Sequence, residues 1–525
     1  MKKMRVLALL LALMLIASGC TGKKAVEEVS VSDSDLAQYP IKGDYELVWW
    51  RQLDVNLSTT YTNQAEAPYE KELAKRTGVK VKYLHPAAGS VNESFNILIS
   101  SGDLPDLISY PWQDGYPGGI AKAIKDKHIR PINDLMEKYM PNFSAALEKY
   151  PEAKKALRTD EGDYYGPATI NTDDLLLYSA GLMIRKDWLD ELGLPEPETM
   201  DEIYETLKAM KEKKGVELPY SGNVYSAATW GIFVSAYGIM PELYVDGKEV
   251  KYGSIDARYK DYLTTMNKWY NEGLIDNSFA TLDSKTVNSN IMNGFSAMTQ
   301  AAGGAGLGTY LQTAKTKNPS YDLVALKSPV LKKGDKPMYS KRANPVSSPT
   351  TITTDCKIPQ VAAKFLDYRY SEEGSLMANF GIEGESYTMV DGNPVYTDLI
   401  MHNPDGKTPS AMMAQYRANG AFISDPRYIM QYYELPQQQE ALVKWGDCNA
   451  ALHQMPPLTI ADDVQAEIST LYADIQTYTQ SMTLKYIMGT EDLAGFDSFV
   501  ENVKKMGVDR VLKAYTEALE RYNAR

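Results

Sequence analysis

The side chains best suited to hold a dissolved ligand are aromatic, amide and guanidinium groups that follow strand-like or helix-like segments. Tyrosine outnumbers phenylalanine 37 to 10, an excess that suits half-wet clefts where a ring packs and its hydroxyl bonds. In open parallel sheets, ligands bind beyond the carboxyl ends of the strands. The candidates at such positions are Trp50, Arg51, Trp112, Gln113, Tyr225, Trp230 and Gln300.

Each of these rings could instead pack in the interior, so the aromatic pattern alone does not identify a site. Trp50 is chosen over Trp49 because successive side chains of a strand point to opposite faces and Trp50 is nearer the loop.

Motifs for phosphate or nucleophilic chemistry are incomplete. Gly406-Lys407-Thr408 has the ending of a phosphate-binding loop, but Met401 stands where that loop needs its first glycine. Residues 304–306 (GAG) follow a strand-like segment, but Thr309 occupies the third glycine position of a dinucleotide fingerprint. No serine lies in a G-x-S-x-G pattern. The sequence therefore predicts turns and packed loops here and no catalytic residue.

Metal-ligand spacing is also missing. No two of the four histidines lie within five residues of each other, and Met401 replaces the first acid of a calcium loop. We expect no cofactor, although a structural calcium ion held by scattered carboxylates stays open as an alternative. Glu383 and Glu385 are the pair to consider for general acid–base work, with a surface or structural role favoured.

The N-terminal residues have the pattern of an export signal. Lys2, Lys3 and Arg5 precede an 11-residue apolar run at 6–16, which is too short to span a bilayer. Residues 15–20 (LIASGC) resemble a bacterial lipobox, which implies cleavage before Cys20 and lipidation of that cysteine; an ordinary cleavage site is the alternative. Cleavage would leave 506 residues with a net charge of −16. Residues 20–43 are polar and predict a flexible tether.

Composition limits the remaining classes of protein. The 525 residues are 44% hydrophobic and 23% charged, with a net charge of −13, so the chain can bury large cores and is not disordered. The acidic balance argues against a nucleic-acid binder, which needs a basic surface. Three cysteines cannot form a disulfide-dense scaffold.

Strand-like and helix-like segments alternate after the tether. Strands are expected at 45–50, 79–83 and 106–110, with helices at 69–76 and after Ser90, where Glu93 could complete a capping box. The same alternation restarts with a strand at 175–184 and a helix capped by Thr199 and Glu202. Further segments are a strand at 295–299, a helix at 359–370 and a mainly helical last hundred residues. This pattern predicts an α/β protein with at least two units.

The ordered set of short motifs resembles extracellular solute-binding protein family 1 of ABC importers, particularly its lipoprotein members that serve complex oligosaccharides. The matching stretches are the lipobox, 101–106 (SGDLPD), 163–166 (DYYG), 184–189 (IRKDWL), 192–194 (LGL), 273–276 (GLID), 366–368 (LDY), 373–374 (EG) and 381–387 (GIEGESY). The resemblance implies a two-lobed, periplasmic-binding-protein-like fold. The first lobe would hold 44–172 and 328–395, and the second 173–327 and 396–525.

The resemblance also implies that the protein binds a ligand and does not catalyse a reaction. Such receptors carry an oligosaccharide to the transmembrane subunits of a permease, with rings stacked on sugar faces and polar groups bonded to hydroxyls. Arg342 and Glu385 join the candidate contacts on this basis. A peptide or other small-solute receptor and a lipid-anchored glycosidase or lyase are the alternatives. We expect a monomer, anchored by lipid on the outer face of the cytoplasmic membrane, with no nucleic-acid partner.

Two finer expectations concern the ligand and the thiols. Arg51 and Arg342 could pair with an acidic sugar, but the acidic protein does not steer anions inward, so a neutral or mildly decorated oligosaccharide is favoured. Cys356 and Cys448 fall in different predicted lobes, where a disulfide would oppose closure, so both are expected to be free thiols.

Overall fold

The computed structural model describes residues 27–222 and 227–525. The predicted signal peptide, Cys20 and Tyr225 lie outside these ranges, as does the side chain of Trp230. The strands are β1 Tyr45–Trp50, β2 Val79–Leu84, β3 Leu107–Ser109, β4 Thr169–Asn171, β5 Ala180–Arg185, β6 Leu218–Tyr220, β7 Leu243–Asp246, β8 Glu249–Tyr252, β9 Ser296–Ala302, β10 Leu323–Ala325, β11 Val346–Ser347, β12 Thr350–Ile352, β13 Tyr387–Val390, β14 Asn393–Tyr396 and β15 Ile423–Ser424.

Helices account for most of the remaining regular structure. In the first half of the chain the α-helices are Pro68–Thr77, Val91–Ser101, Trp112–Gly115, Gly119–Lys125, Asn133–Tyr139, Pro141–Lys149, Pro151–Ala156, Asp174–Leu177, Lys186–Leu192, Met200–Lys214, Ala227–Val234 and Ala257–Asn271. Those that follow are Ser284–Met292, Thr309–Lys315, Pro359–Tyr368, Glu372–Phe380, Asp398–Met401, Pro409–Tyr416, Arg427–Tyr432, Pro436–Gly446, Ala450–His453, Asp462–Met488, Phe496–Lys505 and Val508–Asn523. Among the described residues, none of the helices is both long and apolar enough to cross a membrane.

The first sheet has the strand order β12-β3-β1-β2, and its three strands from residues 45–109 run parallel. Strand β12 returns from much later in the chain and pairs antiparallel with β3. The helices on this sheet complete a buried cluster, here called the first core, which includes Leu47, Phe95, Leu107, Phe143 and Phe365. The predicted alternation of parallel strands and helices is confirmed for this region.

The second sheet has the order β10-β5-β9-β6 and differs from the first in direction. Strand β5 runs antiparallel to both β9 and β10, while β6 runs parallel to β9. Because β9 and β10 therefore point the same way, β5 is inserted in reverse between two strands joined through helix Thr309–Lys315. Local alternation in the sequence predicts the elements but not this direction.

The second core surrounds this sheet and includes the C-terminal helices. Leu182, Trp269 and Met298 pack in one cluster with Ile475 and Phe499. The predicted helical C-terminal region is confirmed, and its long helix Asp462–Met488 packs against helix Ala257–Asn271 through buried pairs such as Tyr259 Oη and Thr483 Oγ1 at 2.9 Å.

A third sheet, here called the crossover sheet, lies where the chain passes between the two cores. It has the order β11-β4-β15, with β4 antiparallel to β11 and parallel to β15. Ile170 in β4 belongs to the first core, and Leu182 shortly afterwards belongs to the second. Two residues beside the strands of this sheet have positive φ values: Ser348, directly after β11, at 51°, and Ala421, shortly before β15, at 56°.

Contacts on either side of the crossover sheet bear on the lobe boundaries. Residues 328–345, expected in the first lobe, contact the second sheet and its neighbouring helix, since Lys341 bridges Ala180 of β5 and Ala343 N donates to Leu177 O at 2.8 Å. Tyr396 and Ile400, expected in the second lobe, pack in one cluster with Phe380. The lobe division stays a prediction, and these contacts favour boundaries at β11 and β15.

Candidate functional site

A cavity of about 380 Å³ lies against the crossover sheet. Its lining comes from the loop after β1, from helix Pro68–Thr77, from the crossover sheet and from the chain around β15. The residues that line it are Asp54, Asn56, Leu57, Gln64, Ala67, Tyr69, Glu70, Thr169, Ser347, Ser348, Ser410, Met413, Ala414, Arg417, Ala418, Asn419, Gly420, Phe422, Tyr428, Ile429 and Tyr432.

Aromatic rings form much of the wall. Tyr69, Phe422, Tyr428 and Tyr432 line the cavity, and the guanidinium carbon of Arg417 lies 3.6 Å from the ring centroid of Tyr428. A ring presents an apolar face beside a polar edge, so this wall can pack on a carbon-rich ligand while leaving hydrogen bonds available.

Beneath the cavity lies a buried polar cluster centred on Glu70. One oxygen of this carboxylate accepts from Gln64 Nε2 at 2.7 Å, and the other accepts from Tyr83 Oη at 2.6 Å. Arg369 Nη2 is 3.9 Å from Glu70 Oε2, and Arg369 Nη1 donates to the carbonyl of Gly420 at 3.0 Å. The cluster therefore links helix Pro68–Thr77, β2 and the residues just before β15.

Two guanidinium groups flank the indole of Trp49. The guanidinium carbons of Arg51 and Arg369 are each 5.0 Å from the Trp49 ring centroid. An aromatic ring attracts a cation by its quadrupole, which partly offsets the repulsion between the two positive charges. Trp49 is fully buried in the first core, where its indole packs against both Arg51 and Arg369.

Arg51 is the least compensated charge of this cluster. It is only 4% exposed, and burial lowers the pKa of its guanidinium, although nearby Tyr83 and Glu70 oppose that shift. In the described ranges, its Nε and Nη1 atoms have no hydrogen-bond partner. Its Nη2 atom would lie 3.7 Å from a Cβ built on Gly420, a residue of the cavity wall. The guanidinium therefore lies directly behind the cavity wall at Gly420 and is not itself one of the lining groups.

Other buried polar atoms around the cavity are also unpartnered. Tyr69 Oη, Gln64 Oε1 and Arg417 Nε have no hydrogen-bond partner in the part of the chain that the structure describes. A buried polar atom without a partner costs free energy, so such atoms are rare in folded proteins. Their concentration at one cavity indicates a site that a polar ligand completes.

His85 fixes the backbone beneath the site. Its Nδ1 is 2.8 Å from the carbonyl oxygen of Arg51, while its Nε2 accepts from the backbone N–H of Gln64 at 3.1 Å. This pair of contacts requires a neutral ring that carries its proton on Nδ1. Burial lowers the pKa of His85, which favours the neutral form.

The predicted ligand-binding residues do not form one group. Trp50 and Trp112 are buried in an aromatic cluster with Phe95, whose ring lies 6.1 Å from the first and 5.0 Å from the second. Gln113 donates to the carbonyl of Leu458 at 2.7 Å. Of the predicted residues in the first lobe, Arg51 lies directly behind the cavity wall.

The candidates in the later part of the chain lie elsewhere. Gln300 is half-buried on β9, and Arg342 Nη1 donates to Gln454 Oε1 at 2.5 Å. Glu385 is exposed and accepts from Tyr416 Oη at 2.6 Å. These placements do not test ligand contact, and the set stays a prediction.

The sequence carried weak signals for the residues that were missed. Arg369 follows the LDY motif inside an apolar helical pattern, and Glu70 lies on the buried face of helix Pro68–Thr77. A charged residue at a core-facing position is unusual enough to identify a polar centre. Arg417 and Tyr428 line the cavity only because the chain comes back to the crossover sheet at β15, and no local sequence pattern predicts that pairing.

The described residues around the cavity do not form a candidate metal site. Within residues 27–222 and 227–525, no group of three or more histidine, cysteine, aspartate or glutamate side chains is placed to hold a metal ion. Glu383 and Glu385 are both exposed.

Two α/β units joined by several chain crossings, with a ligand-sized cavity at the crossing, define a two-lobed binding protein. The family model of the bacterial extracellular solute-binding protein matches residues 58–375, and the chain belongs to this family.

Individual relatives cover nearly the whole chain. It is 26% identical over 467 residues to lipoprotein LipO of Bacillus subtilis, covering 85% of this chain and 88% of LipO. It is 24% identical over 488 residues to the fructooligosaccharide ABC transporter substrate-binding protein FusA of Streptococcus pneumoniae, covering 86% of this chain and 87% of FusA. The crystal structure of alginate-binding protein AlgQ2 without calcium ion superposes with a TM-score of 0.74 at 22% identity, covering 92% of this chain and 99% of AlgQ2.

Proposed function

We propose that this protein is the extracellular receptor of an ABC importer, which captures an oligosaccharide at the crossover-sheet cavity and delivers it to the permease. The observation that carries the proposal is the combination, at one cavity, of aromatic walls and buried polar atoms without partners. A sugar has a carbon-rich face and a polar rim, and this cavity offers groups for both. The name of the relative FusA, a fructooligosaccharide receptor, supports the same ligand class.

The fold supports capture and release through movement of the two cores. Short strands at the crossings can absorb backbone rotation while each core moves as a packed unit. The positive φ values of Ser348 and Ala421 lie beside the cavity at two of these crossings. Non-glycine residues keep such a backbone conformation where the surrounding structure holds it, often at ligand sites and switches.

Binding and turnover can be separated in one experiment. Mature protein is titrated with a panel of oligosaccharides of defined length while intrinsic tryptophan fluorescence is followed, and each mixture is then analysed for cleavage products by chromatography. We expect saturable binding of at least one oligosaccharide with the sugar recovered intact. Cleavage of the sugar would show that the protein is a glycosidase or lyase and not a receptor. Binding of peptides without binding of any sugar would keep the receptor but overturn the proposed ligand class.

Two half-buried tyrosines, one that lines the cavity and one that does not, provide the matched variants. Tyr428→Ala removes the ring against which Arg417 lies, whereas Tyr478→Ala removes a ring from helix Asp462–Met488 in the second core's outer layer. We expect the first change to weaken binding by about tenfold, since stacked rings contribute about 1 kcal/mol or more. The second change is expected to leave the affinity unaltered.

We further propose a lipid anchor on Cys20, attachment to the outer face of the cytoplasmic membrane, a monomeric receptor and no bound cofactor. The lipobox and the name of the relative lipoprotein LipO support the anchor. Cys20→Ala should move the protein from the membrane fraction to the medium. Retention of the variant in the membrane fraction would contradict the anchor. The mass of the N-terminal peptide of the mature wild-type protein gives an independent measurement of lipidation at Cys20.

A further inference from the structure

We propose that the oligosaccharide carries a carboxylate, as a uronate does, and that this carboxylate enters the cavity beside Arg51 and Arg417. The inference rests on the proposed function and specifies its ligand class. It reverses the preference for neutral sugars drawn from net charge, because the local charge of a buried site outweighs the net charge of a distant surface.

The first step is the charge balance of the buried cluster. Arg51 and Arg369 are 4% and 0% exposed, and the neighbouring buried carboxylate is Glu70. The hydrogen bonds of Glu70 go to Gln64 and Tyr83, and its closest guanidinium contact is the 3.9 Å approach of Arg369. Two buried cations therefore share one carboxylate that neither of them bonds closely.

The second step concerns the remaining acidic group of the wall. Asp54 lines the cavity, but its Oδ1 accepts from the backbone N–H groups of Asn56 and Leu57, at 2.8 and 3.1 Å. It is therefore engaged by the local turn, although its charge still offsets part of the positive potential. Arg417 lines the cavity and adds a third guanidinium, so the three arginines Arg51, Arg369 and Arg417 outnumber the two carboxylates Glu70 and Asp54.

The third step is geometric. Nε and Nη1 of Arg51 are buried without a partner among the described residues, and the Nη2 end of the same side chain lies behind Gly420, a residue of the cavity wall. A guanidinium with N–H groups that lack acceptors attracts a carboxylate, which supplies both a negative charge and acceptor oxygens. A buried unpaired charge is costly, and a bound carboxylate removes that cost. Neutral hydroxyls could satisfy the donors but not the charge.

The aromatic wall favours a sugar over other carboxylates. Tyr69, Phe422, Tyr428 and Tyr432 surround the same space, so a ring-shaped ligand can stack while its acidic group reaches the guanidinium groups. A peptide could also present a carboxylate at its C-terminus. That source is treated as an outcome of the test.

The test compares ligands that differ only in the carboxylate. Galacturonate and mannuronate oligomers are titrated into the full mature protein by calorimetry, each beside its carboxyl-reduced counterpart, at low and high salt. Free and C-terminally amidated peptides form a third arm. We expect an acidic oligomer to bind about ten- to a hundredfold tighter than its reduced form, as hydrogen bonds to a charged group allow, with affinity falling as salt rises.

Variants then locate the effect. Arg51→Lys keeps a charge but loses the planar guanidinium with its several donors. Arg417→Gln removes the charge of a lining residue and serves in case substitution of Arg51 impairs folding. Both should reduce the preference for the acidic oligomer by about tenfold. Arg510→Gln, at an exposed side chain in the C-terminal region, removes the same charge as Arg417→Gln and should leave the preference intact.

The outcomes distinguish this inference from the proposed function. Equal binding of acidic and reduced oligomers, or a preference that survives both Arg51→Lys and Arg417→Gln, overturns the carboxylate and keeps the oligosaccharide receptor. Binding of free but not amidated peptides, with no sugar bound, overturns both. Absence of binding to every sugar and peptide in the panel also counts against both.

Discussion

Gln113 and Leu458 connect the two cores although they are 345 positions apart. Gln113 Nε2 donates to the carbonyl of Leu458 at 2.7 Å, and the first residue belongs to a helix beside the first core while Leu458 is buried in the second. This bond occupies the amide that the sequence predicted for the ligand. The contact identifies a second junction between the cores, formed by the C-terminal helical region.

Asp160 provides the charged part of that junction, and its removal should destabilise the fold. Its two oxygens accept from Arg521 Nε and Arg525 Nε, each at 2.9 Å. The side chain of Arg525 is 4% exposed, so Asp160→Ala leaves a buried guanidinium without its carboxylate. We expect a loss of about 2–4 kcal/mol in the free energy of unfolding, measured by urea denaturation.

Glu467→Ala is the matched control for Asp160→Ala. Glu467 pairs with Arg510 in the same helical region, but their side chains are 44% and 61% exposed. Exposed pairs contribute little, so the control should cost less than about 1 kcal/mol. Equal losses from the two substitutions would show that the Asp160 junction is no stronger than a surface pair.

Asp367 should make the protein less stable as the pH rises from about 4 to about 6. Its carboxyl accepts from Phe143 N at 2.8 Å and from Asn142 Nδ2 at 2.7 Å, yet burial raises its pKa from an ordinary value of 3.8 to about 6. Between these values the folded state holds the proton while the unfolded chain releases it. This group alone therefore lowers the free energy of unfolding by about 3 kcal/mol across that range.

The pH dependence can be assigned by substitution. Asp367→Asn keeps an acceptor for Phe143 N–H but does not titrate, so the variant should gain stability relative to wild type between pH 4 and pH 7. Urea denaturation at each pH measures the difference, which cancels the contribution of other groups. Asp463→Asn, at an exposed position of helix Asp462–Met488, should show no such trend. A constant difference between Asp367→Asn and wild type would contradict the raised pKa.

Local patterns predicted the elements of the fold well where hydrogen bonding is local. Thr199 and Glu202 form the expected capping box, and Gly78 ends the helix Pro68–Thr77 in a left-handed conformation with φ of 75°. Ser90 is the N-cap residue as expected but makes no side-chain capping bond within the described chain. The segment expected as a strand at 175–184 begins with the short helix Asp174–Leu177 before β5.

The site was harder to predict because its parts are distant in sequence. Arg51 follows β1, Arg369 follows helix Pro359–Tyr368, and Gly420 precedes β15. Their approach depends on three passages of the chain through the crossover sheet, which short motifs cannot order. Rings such as Trp50 and Trp112 have the composition of a ligand contact, but core packing uses the same residue types.

Chelation should leave the thermal stability unchanged. The prediction follows from the proposal of no cofactor, and in the described ranges carboxylates do not gather into a metal-holding group. The melting temperature is measured after dialysis against a chelator and again after calcium is restored at millimolar concentration. A rise with calcium that magnesium does not reproduce would contradict the prediction, since a ligand that binds only the folded state raises its stability.

Cys448 should react with a thiol reagent before Cys356 does. Both cysteines are free in the described part of the chain, which agrees with the expected pair of unlinked thiols. Cys356 is fully buried in the first core, whereas Cys448 is half-buried at the edge of a smaller cluster. Burial raises the pKa of both thiols, so neither is an activated nucleophile and access decides the order of reaction.

The measurement uses a Cys20→Ala variant, so that Cys356 and Cys448 are the thiols counted. Without reductant, we expect slow reaction of one thiol in the native protein and of two after unfolding. Cys448→Ser should abolish the native reaction, while Cys356→Ser should leave it. Two thiols that react equally slowly in the native protein would show that global unfolding limits both reactions. If no thiol reacts in the unfolded protein, Cys356 and Cys448 are joined by a disulfide, which would contradict the prediction.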